Sequence, residues 1–376
     1  MKRRTLLLGG AATGAALAVG LRPADRGQNH APYFQQLSDA LDRSDAGVPT
    51  LVVDRQRLLQ NAATLKSHIG ERFHYRVVAK SLPSVELLGE IMAATDTRRL
   101  MLFHQPFINQ VALHYPDADV LLGKPMPVTA AAAFYADFAG GGFEPARQLQ
   151  WLVDAPQRLQ QYAELADELD VPMRINIELD VGLRRGGAQD DDTLVEMLRA
   201  ITDHPRLAFA GLMGYEPHIV KVPGDPLDYR ERAMAVYRQR VDAARAFLGP
   251  AWPENVTLNC GGSPTYQMYD EGEFPFNELA AGSCLVKPTD FDLPTLADHS
   301  PASWIAAPVL KAMDGVELPV AGIGALQSAW DPNRRRTFFT YGGYWKAVPE
   351  SPAGLATNPL FGRSTNQEML NGSSSI

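Results

Sequence analysis

Cysteine is scarce in this chain: Cys260 and Cys284 are its only cysteines in 376 residues. Two cysteines cannot form the set of bridges that stabilises small secreted domains, and their spacing does not match a zinc knuckle. Both lie in apolar, strand-like segments, so we interpret them as small buried side chains. A single bridge between them is left open, because spacing alone does not decide it.

The chain also lacks an excess of positive charge, since 35 Lys and Arg face 43 Asp and Glu, for a net charge of −8. The one basic triplet beyond the N-terminus, Arg334-Arg335-Arg336, is interpreted as a solvated turn. Nucleic-acid-binding surfaces need clustered basic residues, so the charge argues against such a partner. The remaining composition, 45% hydrophobic and 21% charged, is that of a globular protein with one large or two smaller domains.

Long apolar runs are missing too, and the nearest approach to one lies in residues 1–25. There Arg3 and Arg4 precede a stretch that is rich in Gly and Ala and is too weakly apolar to predict a spanning helix. The pattern resembles a twin-arginine export signal, with Ala16-Leu17-Ala18 as a candidate cleavage site. We therefore expect export to the periplasm, with an uncleaved membrane anchor as the alternative.

Apolar runs of strand length alternate with helical patterns over most of the chain. This alternation predicts parallel strands joined by crossover helices, and eight such strands fit a closed (β/α)₈ TIM-type barrel. An open doubly wound sheet is the alternative, but no Gly-rich loop follows the first strand as a dinucleotide fold requires. The eight predicted strands are Val77–Lys80, Leu100–His104, Val120–Gly123, Leu149–Val153, Met173–Asp180, Leu207–Gly214, Val256–Cys260 and Leu279–Val286.

The sequence divides into an irregular leader at 26–46, a barrel at 47–288 and a β-rich C-terminal domain at 289–376. The segment 47–56 contains an early strand that we expect to be shared with the β-rich domain. No closing strand is visible at the end of the chain, so this domain either continues further or frays there. Its predicted strands are Pro308–Lys311, Val316–Val320 and Arg336–Tyr341.

Lys80 closes the first barrel strand and is the most informative residue. Burying a lysine at the inner end of an apolar strand costs free energy, so such a lysine is expected to have a function. One such function is to bind an aldehyde cofactor, because an amine with a lowered pKa reacts with an aldehyde to form a Schiff base. The alternative is a lysine whose ammonium group simply reaches solvent.

Other chemical groups follow later strands, at the barrel end where active sites form. After the fifth strand, the turn Asp180–Gly187 places arginines between glycines, either in the barrel mouth or in solvent. Tyr215, Glu216 and His218 follow the sixth strand. The segment Asn259–Thr265 ends the seventh strand, and its glycines and hydroxyls suit an anion, although a plain Gly-Gly turn is the alternative.

Four motifs in this order resemble alanine-racemase-type (fold III) enzymes, which use pyridoxal 5′-phosphate (PLP). They are the strand-end lysine, Asp-x-Gly-x-x-Arg-x-Gly, the histidine after Gly-x-x-Gly-Tyr, and Gly-Ser-Pro-Thr. Pro49–Asp54 and Gly211–His218 resemble the D-threonine aldolase and D-serine dehydratase branch. The resemblance covers about residues 47–290. It also implies a homodimer.

The resemblance implies roles for individual residues. Lys80 would form the Schiff base and act as the base at the substrate's Cα, and Arg185 would lie near the lysine and the cofactor. His218 would be a neighbour of the pyridine ring and, with Arg185, a catalytic residue. The other residues implied in cofactor binding are Tyr215, Gly261, Gly262, Ser263 and Thr265.

Two departures from the family limit the prediction. Where the family commonly has Arg-Pro-Gly on the eighth strand, this chain has Ala280 at the arginine position. Because Glu278 lies on the same face of that strand, we hypothesise that Glu278 or a water meets the ring nitrogen. The branch also uses a divalent metal held by a histidine and an Asp or Cys two residues later. After His299 no such pair occurs, so metal dependence is left open.

We therefore predict a PLP-dependent enzyme that acts on a small amino acid, preferably the D enantiomer, by aldolase- or dehydratase-type lyase chemistry. An amino-acid racemase is the first alternative, but it needs a second base that the sequence does not reveal. A non-catalytic PLP-binding protein is another. The last is a cofactor-free barrel hydrolase, in which Asp180, Glu216 and His218 would form the acid–base set.

Overall fold

The computed structural model describes residues 22, 32–314, 322, 329–330, 336–341 and 373–375. Apart from Arg22, the predicted export signal lies outside the described residues, as does the predicted strand Val316–Val320. Among the residues that are described, no helix is long and apolar enough to cross a membrane.

Eight parallel strands close into a barrel in chain order, which confirms the predicted (β/α)₈ architecture. The eight predicted apolar runs match the eight barrel strands, which are continuous hydrophobic segments as expected for strands covered on both faces. An early strand, β1 (Thr50–Val53), precedes them. The barrel strands are β2 (His74–Val78), β3 (Arg99–Leu102), β4 (Asp119–Leu122), β5 (Leu149–Val153), β6 (Met173–Leu179), β7 (Leu207–Gly214), β8 (Thr257–Cys260) and β9 (Glu278–Ala281).

Helices connect the barrel strands, and several begin at a side-chain cap. Asp54 accepts a hydrogen bond from Arg57 N at 3.1 Å, and Asp190 accepts one from Thr193 N at 2.7 Å. Such caps satisfy backbone N–H groups that a helix start leaves open. The described helices are α1 (Pro32–Asp42), α2 (Arg55–Ile69), α3 (Val85–Thr95), α4 (Gln105–His114), α5 (Val128–Ala136), α6 (Pro145–Gln148), α7 (Pro156–Leu169), α8 (Asp191–Asp203), α9 (His218–Lys221), α10 (Pro226–Leu248) and α11 (Ser283–Val286).

The chain divides into two compact units. One spans Val53–Ala302 and contains the barrel, and the other combines the chain up to Val52 with the chain from Ser303 onward. In the second unit, β1 pairs with β10 (Ser303–Ala306). A further antiparallel sheet there has the order β11 (Val309–Asp314), β12 (Arg336–Tyr341), β13 (Ser373–Ser375).

Candidate active site

An open cavity lies at the carboxyl ends of the barrel strands. Its volume is about 560 Å³, including the solvent-filled entrance. Lys80, Arg185 and Tyr215 line it, together with the predicted loop residues Gly261, Gly262 and Ser263. The structure thus brings together six of the residues that the sequence singled out, from segments far apart in the chain.

Lys80 sits in a single 3₁₀ turn, Ala79–Ser81, that follows β2 directly. The turn carries the side chain out of the buried strand into the cavity, where it is exposed and its Nζ lies 4.8 Å from the centre of the Phe103 ring. Partial burial, and then the positive charge of Arg185, lower the pKa of Lys80 below the ordinary lysine value. A lowered pKa increases the fraction of neutral, nucleophilic amine at neutral pH.

Arg185 is held over the ring of Tyr215, with its guanidinium carbon 5.0 Å from the ring centre. Arg185 Nη2 also lies 3.6 Å from Oε1 of Glu178. Burial raises the pKa of Glu178, and the neighbouring Lys124 and Arg185 oppose that rise. The turn needs glycine, because a Cβ on Gly187 would lie 2.7 Å from the backbone carbon of Leu179.

The loop after β8 closes one side of the cavity. Ser263 Oγ accepts hydrogen bonds from Gly282 N at 3.1 Å and Cys284 N at 3.0 Å, so it joins the loop to the start of α11. A Cβ on Gly262 would lie 2.7 Å from the Tyr215 ring, and one on Gly282 would lie 2.2 Å from Val78 O. These glycines therefore let the backbone approach where no side chain fits.

Behind this loop, Glu216 is fully buried and receives four neutral donors. They are Thr265 Oγ1 at 2.7 Å, Tyr269 Oη at 3.1 Å, Cys260 Sγ at 3.1 Å and Gly261 N at 3.2 Å. Thr265 thus supports the loop from behind and does not line the cavity. Cys260 and Cys284 are both free thiols. A buried carboxylate with these four donors cannot serve as the solvent-facing acid or base of the hydrolase alternative.

His218 is not among the described residues that line the cavity, and the expectation that it neighbours the cofactor ring stays a prediction. It begins α9, and this turn directs its ring towards Gly182 and Tyr229, whose ring centre is 6.4 Å away. Its Nδ1 is buried without a hydrogen-bond partner among the described residues. Tyr215, three residues earlier, occupies the cavity wall instead.

Glu278 also lies away from the cavity, so the hypothesis that it meets a ring nitrogen is not supported. It is the first residue of β9, at the barrel end opposite the mouth, and is fully buried. Its oxygens accept from Arg76 Nε at 2.5 Å and Arg99 Nη1 at 2.9 Å. Arg76 is itself fully buried and also pairs with Asp119 at 2.5 Å. This ionic network stabilises the barrel itself and does not belong to the cavity.

Two polar cavity residues, Lys124 and Ser283, were missed in the sequence. Lys124 follows Gly123 at the end of β4, a strand-end position like that of Lys80, so the same rule could have found it. Burial and the positive charges of Arg185 and Lys80 lower the pKa of Lys124 against the opposing effect of Glu178. Asn259 in β8 and Ser283 in α11 also line the cavity. Within the described residues, no group of three or more His, Cys, Asp or Glu side chains is arranged to hold a metal.

Comparison with known families matches residues 53–290 to the family described as alanine racemase, N-terminal domain. The match spans more than half of the chain, and the protein therefore belongs to this family. The resemblance inferred from the sequence is confirmed. No curated protein matches the chain by sequence.

Solved structures of similar fold include enzymes of both chemistries weighed above. D-threo-3-hydroxyaspartate dehydratase from Delftia sp. HT23 has 17% identity and a TM-score of 0.60, over 79% of this chain and 71% of that one. D-threonine aldolase from Filomicrobium marinum has 16% identity and a TM-score of 0.58, over 79% and 76%. An alanine racemase from Bacillus anthracis with bound L-Ala-P has 15% identity and a TM-score of 0.58, over 79% and 72%. At these identities the similarity shows the fold alone.

Proposed function

We propose that this protein is a PLP-dependent enzyme that acts on a small amino acid, preferably the D enantiomer, through aldolase- or dehydratase-type lyase chemistry. The observation that carries the proposal is the meeting of Lys80 and a glycine- and serine-rich loop in one cavity. An amine with a lowered pKa and an anion-binding loop are the two groups that a phosphorylated aldehyde requires.

The residues present fit such a cofactor. Gly261, Gly262, Ser263 and Ser283 all line the cavity, so backbone N–H groups of the loop and the two serine hydroxyls would meet the phosphate oxygens. Lys80 would hold the aldehyde carbon, and Tyr215 would flank the ring. When bound, PLP supplies an electron sink for the negative charge that develops at the substrate's Cα.

The charge of the cavity suits an amino-acid substrate. Lys80, Lys124 and Arg185 line it, and none of the described residues that line it is acidic. Lys124 and Arg185 can therefore bind a substrate carboxylate, while Lys80 removes or returns a proton at Cα. Met101 and Met213 supply an apolar wall that limits water near these groups.

A racemase is the second candidate, because Lys124 provides a second basic side chain in the same cavity. A racemase must exchange a proton from both sides of Cα, which two bases could do. Incubation with D-threonine, D-serine and D-alanine, with and without Mn²⁺ or Zn²⁺, separates the two. Lyase chemistry releases a carbonyl product, whereas racemase chemistry yields the other enantiomer.

The cofactor itself is tested by reconstitution. Purified protein mixed with PLP should turn yellow, and borohydride should then fix the label to Lys80, as peptide mapping would show. Lys80→Ala should lose the fixed label, while Lys66→Ala, an exposed lysine on α2, should keep it. A wild-type protein that stays colourless with excess PLP would refute the proposal. The proposal includes a homodimer exported by the twin-arginine route.

A further inference from the structure

One polar atom at the cavity wall, Asn259 Oδ1, has no hydrogen-bond partner among the described residues. Asn259 is only 1% exposed and lines the cavity from β8. Its Nδ2 donates to Glu278 Oε1 at 2.8 Å. In the described part of the chain, no hydrogen bond reaches its Oδ1. An unpaired carbonyl oxygen in such a place costs free energy unless a ligand or water supplies a donor.

The orientation of this amide is fixed by its neighbours. A carboxylate oxygen only accepts hydrogen bonds, so Asn259 must turn its NH₂ group towards Glu278 and its oxygen away. Glu278 cannot move to accommodate the opposite orientation, because Arg76 and Arg99 hold it at 2.5 Å and 2.9 Å. Asn259 Oδ1 is therefore a fixed acceptor, and a ligand atom that meets it must carry a hydrogen.

Other polar side chains in the cavity already have a use in the proposed function. Lys80, Lys124 and Arg185 serve the aldehyde and the substrate carboxylate, and Ser263 and Ser283 serve the phosphate. Around Asn259 the wall is apolar. Its members there include Met101, Met213 and Ala280. Asn259 is thus the polar side chain that remains for the ring nitrogen of a pyridine.

We infer that Asn259 accepts a hydrogen bond from the pyridine nitrogen of PLP, and that this nitrogen is therefore protonated in the bound state. The inference rests on the proposed function. Glu278 orients the amide of Asn259 but does not itself contact the ring. A protonated pyridine is a stronger electron sink than a neutral one, so it better stabilises the negative charge that develops at the substrate's Cα.

The test compares PLP with its 1-deaza analogue, in which a C–H group replaces the ring nitrogen. Dissociation constants for both are measured on the metal-free apoprotein by absorbance titration, so no activity is needed. Wild-type protein should prefer PLP by on the order of tenfold or more, the effect of a charged hydrogen bond. Asn259→Leu keeps a similar volume without the acceptor and should bring the ratio close to one. Met213→Leu, the matched change in the same cavity wall, should leave the preference intact.

Equal binding of both molecules by wild-type protein, or an unchanged preference in Asn259→Leu, would overturn this inference alone. Failure to bind either molecule would overturn the proposed function as well. A second measurement needs no variant: ¹⁵N-labelled PLP, fixed by borohydride, should show a ring-nitrogen resonance at the protonated position across the neutral pH range. A resonance at the deprotonated position would contradict the inference even where Asn259→Leu does not fold.

Discussion

The buried carboxylate of Glu278 offers a quantitative test of what holds the barrel together. Substitution of Glu278 by alanine removes the acceptor of Arg76 Nε at 2.5 Å, Arg76 Nη2 at 2.9 Å and Arg99 Nη1 at 2.9 Å. Arg76 is 0% exposed, so its charge cannot turn to water and keeps only Asp119 as a carboxylate partner.

Breaking one partner of a buried ion pair costs about 3–5 kcal/mol, because the remaining charge stays buried. We expect Glu278→Ala to lower the free energy of barrel unfolding by an amount in that range. The measurement is urea denaturation followed by circular dichroism, with a shifted midpoint and an unchanged slope.

The matched control is Glu90→Ala. Glu90 also forms a short ion pair, with Arg55 Nε at 2.6 Å, but the side chains are 69% and 40% exposed for Arg55 and Glu90. Exposed pairs contribute no more than about 1 kcal/mol. If Glu278→Ala destabilised the protein as little as Glu90→Ala does, the reasoning that burial decides the effect would be refuted.

Three further outcomes follow from the site. Glu216→Ala should weaken PLP binding on the order of tenfold or more, because the substitution leaves the four donors to Glu216 unpaired. An unchanged dissociation constant in a folded variant would contradict this. Arg185→Gln should raise the pKa of Lys80, since a neighbouring positive charge disfavours the ammonium form, and amine labelling should shift to higher pH; a shift to lower pH would have the wrong sign. Lys124→Met should raise KM for the amino acid more than it lowers kcat, while Lys124→Arg should recover most of the loss; an unaffected KM would exclude a role in binding carboxylate.

The barrel was predictable because its strands are buried on both faces and therefore appear as continuous apolar runs. Lys80 was predictable for a related reason, since a charge at the end of such a run stands out and the carboxyl ends of parallel strands meet at one rim. Lys124 satisfies the same rule at the end of β4.

Glu278 shows where this reasoning stops. Strand alternation correctly puts Glu278 and Ala280 on the same face, and Ala280 lines the cavity. Two residues along a strand span about 7 Å, however, and that distance takes Glu278 out of reach of the mouth. Its main partner, Arg76, is 202 residues away in the chain, and no local sequence pattern predicts such a pair.

Two of the barrel's three buried glutamates, Glu216 and Glu278, have opposite surroundings, and neither lines the cavity, which helps to explain how the cavity can be positive. Glu278 meets arginines at the far end, so its charge is compensated within the network. Glu216 meets neutral donors and lies behind the loop, where its charge orders the backbone of Gly261 without facing the cavity. Both carboxylates therefore support the site from outside. Under the proposed function, Lys80 is then left to hold the aldehyde, and Lys124 and Arg185 are left to bind the substrate carboxylate.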